Sequence, residues 1–160
     1  MAKIIDLNQR FTEHFVLSEF LRSEKAEQLG IPNIPLKCHI TALENLCVQC
    51  LEPTRQHIGM PIWVSSGYRC AKLNELVGGA ATSQHLRGEA ADITVLSKHW
   101  PFWCTTQEQI ARMLFNWMKD CLPTYDQLIL EHRACTWWVH VSCRIDLRHN
   151  RRQFFSLNAS

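Results

Sequence analysis

Gly78-Gly-Ala-Ala-Thr-Ser-Gln-His-Leu-Arg-Gly-Glu-Ala-Ala-Asp92 reads as a glycine-rich loop that passes directly into a strand. The strand, Ala90-Ala-Asp-Ile-Thr-Val95, is a short apolar run of the kind that lies buried. Asp92 interrupts it, between Ala91 and Ile93. A carboxylate buried there requires a cation or strong hydrogen-bond donors. His85 stands at the end of the loop, and Gly88 with the small alanines lets the backbone turn tightly and admits a close approach.

The flanking segments supply the rest of the fold. On the N-terminal side, Ser23 is placed to cap a short helix ending at Gly30, and Asn33 to Pro35 reads as a turn. A longer helix is expected from about Leu36 to about Gln56, kinked by Pro53. Pro61 to Ser65 reads as a strand, Ser66-Gly67 as a turn, and Cys70 to Val77 as a short helix closed by Gly78-Gly79. On the C-terminal side, Thr105 and Glu108 match a capping box. The box opens a helix with Ile110, Met113, Leu114, Trp117 and Cys121 on one face. Gln127–Glu131 and Trp137–Ser142 then form a hairpin pattern. Helices first and strands later, without strict alternation, predict an α+β fold: a small, mostly antiparallel sheet packed with helices. With no repeat, linker or low-complexity tract, residues 1–160 read as a single domain.

Composition narrows the function classes. A content of 46% hydrophobic and 20% charged residues is a globular balance. A net charge of +2 is too mild to point to nucleic acid. The local cluster Arg144, Arg148, Arg151 and Arg152 reads either as a solvated face or as a contact for an anionic polymer. The first 25 residues carry Lys3, Asp6, Arg10, Glu13 and Glu19 and no apolar stretch as long as a signal-peptide core. No segment has the roughly 20 apolar residues of a membrane span. The expectation is a monomer made in the cytoplasm without a visible export signal. Eight cysteines without such a signal are expected as free thiols. Cys47 and Cys50 form a CxxC pair without a second pair to complete a zinc knuckle, and they fall in an apolar helical pattern that reads as core.

A third residue joins His85 and Asp92. In Trp137-Trp-Val-His-Val-Ser142, strand alternation sets Trp138, His140 and Ser142 on one face and turns Val139 and Val141 away. Two imidazoles and a carboxylate suit Zn²⁺ and leave a fourth position for water, the pattern of catalytic sites and not of closed structural ones. Zinc so held lowers the pKa of water toward about 7 and polarises a carbonyl. Spacing alone leaves open whether these histidines are ligands or satisfied core residues.

Ser83-x-His85-x-x-Gly88-x-Ala90-x-Asp92, followed by Trp138-Val-His140-Val-Ser, closely resembles the zinc D-Ala-D-Ala carboxypeptidase family. These are peptidoglycan-cleaving metallopeptidases that share a fold with hedgehog signalling domains. The likeness extends to His14-Phe-x-Leu-Ser-Glu-Phe20, Gly30-Ile-Pro-Asn33, Leu51-Glu-Pro-x-Arg55, Ser66-Gly-Tyr-Arg69 with Leu73-Asn74, Asp126-Gln-Leu-Ile129 and Asn150-Arg-Arg-Gln153. The resemblance implies a hedgehog/DD-peptidase-like fold with His85, Asp92 and His140 as zinc ligands. It matches Arg69 to an arginine that binds substrate and stabilises charge near the scissile carbonyl. A guanidinium offers the paired donors this needs, although a surface salt bridge is the plainer reading of Arg69. Ser83 matches a serine beside the first ligand, either touching substrate or capping the loop.

A metallopeptidase also needs a carboxylate to take a proton from the attacking water. Many members of the family place it three positions before the last histidine, where this chain has Trp137. Glu131 is the candidate instead, sharing a strand face with Gln127 and Ile129. Related sequences of this subgroup are similar in having Glu there. Glu89, His132 and Asp126 are weaker options. Trp100 and Trp103, in the connection Lys98-His-Trp-Pro-Phe-Trp-Cys104, read either as core or as an aromatic lid over the site. The expected function is zinc-dependent hydrolysis of peptidoglycan stem peptides beside D-amino acids, by carboxypeptidase or endopeptidase action. A chain of this type suits an endolysin, reaching the cell wall after release. The alternative is a non-catalytic, zinc-containing binding module of the same fold.

Overall fold

The computed structural model describes residues 5–159, so Lys3 lies outside the described residues. Ser23 caps α1 (Glu24–Gln28), its hydroxyl accepting the Ala26 N–H at 3.2 Å. The long N-terminal helix differs from expectation. α2 (Lys37–Leu46) runs into one π-helical segment, Cys47–Leu51, and then α3 (Glu52–Ile58). Proline has no N–H and its ring crowds the carbonyl four residues back. The widened turn ahead of Pro53 absorbs that conflict, so the helical path continues in place of a break. Cys47 and Cys50 are fully buried in this segment, as the apolar pattern predicts.

α4 (Ala71–Leu76) precedes the glycine-rich loop and α5 (Gln107–Cys121) follows the tryptophan-containing connection. The capping box of α5 falls one residue later than predicted. Thr106 Oγ1 accepts the Gln109 N–H at 3.2 Å, and Gln109 Oε1 accepts the N–H groups of Thr105 and Thr106. Gln serves the same signature as Glu, and Glu108 instead pairs with Arg112 on the surface at 2.8 Å. The buried stripe is centred on Ile110, Ala111, Leu114, Phe115 and Met118; Met113 and Trp117 pack at its edge and Cys121 is exposed.

Five strands, β1 (Trp63–Ser66), β2 (Ala90–Thr94), β3 (Gln127–Arg133), β4 (Thr136–Ser142) and β5 (Gln153–Asn158), form one sheet in the order β1-β2-β4-β3-β5. All neighbours are antiparallel except β3 and β5. The architecture is thus the expected α+β class. β5 carries no period-two burial signal in the sequence: every residue from Gln153 to Asn158 is exposed. Ala91, Ile93, Leu128, Leu130, Val139 and Val141 point from the sheet into a core completed by residues such as Leu46, Leu51, Leu114 and Met118. Alternation therefore turns Asp92, His140, Ile129 and Glu131 to the opposite face, away from α5.

Two glycines seat the loop between α4 and β2. A Cβ on Gly67 would meet the Phe20 backbone, with Cα at 2.7 Å. Gly88 has φ of +71°, and a Cβ there would run into the His39 carbonyl oxygen on α2. Gly88→Ala combines a left-handed backbone with a collision, and should destabilise the fold by about 2 kcal/mol or more in urea unfolding. A loss below about 0.5 kcal/mol, the size of an ordinary surface change, would contradict this packing.

Asp126, at the entry to β3, ties the C-terminal segment to the sheet. Its side chain is wholly buried and accepts hydrogen bonds from Arg151 Nε and Nη2 at 2.9 and 2.7 Å, while Arg144 Nε stands 3.1 Å away as an ion-pair contact. Burial alone would raise the Asp126 carboxyl, but bonds from Arg151 and Arg144 hold it at about 2. A folded value below the unfolded one gives stabilisation that is complete above the ordinary Asp value and drains as pH falls toward 2. Between pH 5 and 2 the wild type should therefore lose on the order of 1–2 kcal/mol more than Asp126→Asn does, read from urea midpoints at each pH.

Candidate metal centre

The sheet register builds the site. Asp92 on β2 is directly opposite His140 on β4, and Ile129 on β3 flanks His140 from the other side. Direct cross-strand partners share a face with Cβ atoms about 5 Å apart. His140 Nδ1 accordingly lies 2.9 Å from Asp92 Oδ1. His85 arrives from the loop on a single 3₁₀ turn, Gln84–Arg87, whose first N–H groups are capped by Ser83 accepting from His85 N at 3.3 Å. Its Nε2 lies 3.3 Å from the same Asp92 oxygen. The two imidazole centroids are 5.1 Å apart.

Orientation of His85 is set from behind. Its Nδ1 stands 2.7 Å from the Gly67 carbonyl oxygen and donates to it, which leaves the Nε2 lone pair facing Asp92 and His140. The Arg69 N–H in turn donates to the His85 carbonyl at 3.1 Å, so the β1 extension and the loop are laced together. His85 and His140 have only 2% and 11% side-chain exposure, and Asp92 17%. Burial pushes the His85 imidazole pKa down, with Asp92 pulling against it. Burial alone would raise the Asp92 carboxyl, but His85 and His140 hold it far below the usual carboxylate range. Neutral imidazole and ionised carboxylate are the forms that bind a metal ion. One donor atom from each residue lies within 4.8 Å of the others. The donor set, its burial and the fixed His85 tautomer fit a divalent cation.

The trio sits in a cleft of about 470 Å³ that also takes in Arg69, Ser83 and Glu131. Arg69 Nε is buried and has no hydrogen-bond partner among the described residues, so the salt-bridge reading does not hold for that atom. Burial lowers the Arg69 pKa, against the attraction of Asp92 and Glu131. Burial, then the charge of Asp92, raises the Glu131 carboxyl. Trp137 packs toward the core and stacks on His132, so neither reaches the cleft. Glu89 bonds Gln84 and Arg87, and Asp126 is consumed by its arginines. Of the weighed carboxylates, Glu131 alone shares the cleft with the trio among the described residues.

The aromatic-lid reading is corrected. Trp100 donates Nε1–H to the Val95 carbonyl at 2.7 Å and packs on the core, and neither Trp100 nor Trp103 lines the cleft. The connection runs from β2 to α5, with Trp100 and Cys104 against the core and Trp103 exposed. The solvated-face reading of the C-terminal arginines is also corrected in part: Arg144 and Arg151 line the cleft. Arg144 was legible only as positive charge and Arg151 only as charge and as part of the Asn150-Arg-Arg-Gln153 resemblance, since the turn that brings them back to Asp126 has no sequence period. A second donor set, Glu13, His14 and Glu52, carried no spacing signal either. Glu52 there is engaged by His14 Nδ1 at 2.7 Å, by His14 N–H and by Gln56, which makes it a strut between the N-terminal segment and α3.

Fold and site together define a protein with a metal-type His₂Asp centre at the base of an open cleft. The chain belongs to the peptidase M15 family: the family model matches residues 13–133, a span that includes Arg69, His85, Asp92 and Glu131 and ends before His140. The family is one of metallopeptidases. No curated protein gives a significant match. If the trio is the metal centre, His85→Ala, Asp92→Ala and His140→Ala should each weaken Zn²⁺ binding at least about 100-fold in a competitive chelator titration. Unchanged affinity in any of them would remove that residue from the ligand set.

Proposed function

We propose that this protein is a zinc metallopeptidase that hydrolyses stem peptides of bacterial peptidoglycan, next to D-amino acids. The observation that carries the reading is the meeting of His85, Asp92 and His140 in one cleft with Glu131 and with a half-buried Arg69 whose Nε has no hydrogen-bond partner among the described residues. His85, Asp92 and His140 would hold a Zn²⁺ ion, which when bound would supply Lewis acidity and a more acidic water. Glu131 takes the proton from that water and returns it to the leaving amine. Burial and the charge of Asp92 raise the Glu131 carboxyl, in the direction that makes it a better proton acceptor. Arg69, whose side chain lines the cleft, donates to the oxygen on which negative charge develops. Ser83 keeps its hydroxyl on the His85 N–H and so steadies the loop.

The open cleft admits a chain end or a cross-linked peptide, so carboxypeptidase and endopeptidase action share the same machinery. No helix of the described residues is long and apolar enough to cross a membrane. We take the protein to act as a monomer and to meet the wall after release from the cytoplasm, as an endolysin does.

Purified peptidoglycan and an N-acetylated stem pentapeptide, incubated with zinc-loaded protein and followed by mass spectrometry, test the proposal. Cleavage should stop on chelation and return with zinc. Glu131→Gln should keep its zinc while kcat falls about 10²- to 10⁴-fold. Stoichiometric zinc without cleavage of any wall peptide would favour the binding-module alternative.

A further inference from the structure

Asp126 holds two guanidiniums where one would neutralise it. Its side chain has no exposure, and Arg151 alone satisfies it with two side-chain bonds and a backbone N–H at 3.1 Å. A buried carboxylate is stabilised by one well-paired cation. Arg144, at 3.1 Å, therefore leaves the cluster with a surplus positive charge. That surplus faces the cleft of the trio, because Arg144 and Arg151 both line it. The Asp126 pairing occupies Nε and Nη2 of Arg151 and Nε of Arg144. Nη1 of Arg151 and both Nη groups of Arg144 remain for another acceptor.

The mounting is firm. Arg144 N–H donates to Asn150 Oδ1 at 2.9 Å, and Asn150 Nδ2 donates to Thr124 Oγ1 at 2.7 Å. The Arg151 guanidinium, fixed along one edge by the Asp126 carboxylate, presents its remaining donor in a set plane beside Arg144, which suits a second planar anion. The hydrolytic step described above uses neither arginine.

We propose that Arg144 and Arg151 form a carboxylate-binding subsite that seats an acidic group of the peptide away from the bond that is cut, and makes the protein selective for acidic peptides. This rests on the peptidase reading of the same cleft. A stem peptide offers the same chemistry in two places, its C-terminal carboxylate and the free α-carboxylate of a γ-linked D-glutamate.

Titration calorimetry with zinc-loaded Glu131→Gln protein, which keeps the peptides intact, distinguishes them. The probes are three N-acetylated stem pentapeptides: both carboxylates free, the C-terminus amidated, or the glutamate amidated. One amidation should weaken binding about tenfold or more and so identify the seated group. Adding Arg144→Gln should shrink that effect below about threefold, while Arg151 still neutralises Asp126. Arg151→Lys, which keeps the charge but loses the fork, should shift it the same way if Arg144→Gln fails to fold. Indifference to both amidations, full discrimination retained in both variants, or no binding of any peptide would overturn the subsite. Parallel hydrolysis assays on the wild type separate the two readings. Discriminating binding without cleavage sinks the peptidase and leaves the subsite; cleavage without discrimination sinks the subsite alone.

Discussion

A single carboxylate in an apolar strand constrains much of this molecule. Asp92 lies between buried Ala91 and Ile93, where an ionised group is unfavourable without compensation. The register of β2 against β4 sets His140 directly across from it, and the 3₁₀ turn after Ser83 brings His85 to the same oxygen. Each contact depends on backbone placed elsewhere. His85 needs the Gly67 carbonyl, Gly67 needs its close approach to Phe20, and Gly88 needs the gap beside His39. The three side chains are pressed together and partly shielded from water; burial favours the neutral His85 imidazole, and the two histidines keep Asp92 ionised.

Charge in the cleft is arranged in two tiers. Near the trio, half-buried Arg69 has no hydrogen-bond partner for its buried Nε among the described residues, beside a Glu131 whose carboxyl is pushed up by burial and by Asp92. Further along, Asp126 anchors Arg144 and Arg151 on the strand ends. The first tier suits bond-making chemistry, because desolvated donors and acceptors act strongly on developing charge. The second suits recognition, because half-exposed guanidiniums held in place discriminate between a carboxylate and its amide.

Legibility in the sequence followed the physics of each signal. Strand β2 was readable as a short apolar run buried along its length, and β3 and β4 from the strand pattern of a hairpin. Alternation then assigned Glu131 to the face it shares with Ile129, which is the cleft face. β5 was not readable, since an exposed edge strand has no apolar period. The capping box was misplaced by one residue because Thr105-Thr-Gln-Glu-Gln109 contains two overlapping matches, and only packing of the Ile110–Leu114 stripe selects between them. The tryptophans of the connection were ambiguous because large apolar side chains fill cores and line clefts alike; Trp100 took the core.

The sequence by itself determined the α+β class, the burial of Cys47 and Cys50, the placing of Asp92 inside an apolar strand, and the faces on which His140 and Glu131 stand, because periodicity is a local property of the chain. Only the tertiary structure decided that His85, Asp92 and His140 meet around one carboxylate oxygen, that Trp137 is turned from the cleft, and that Arg144 and Arg151 enter it through Asp126. Those facts depend on strand register and on chain returns between residues far apart in sequence, which no local pattern encodes.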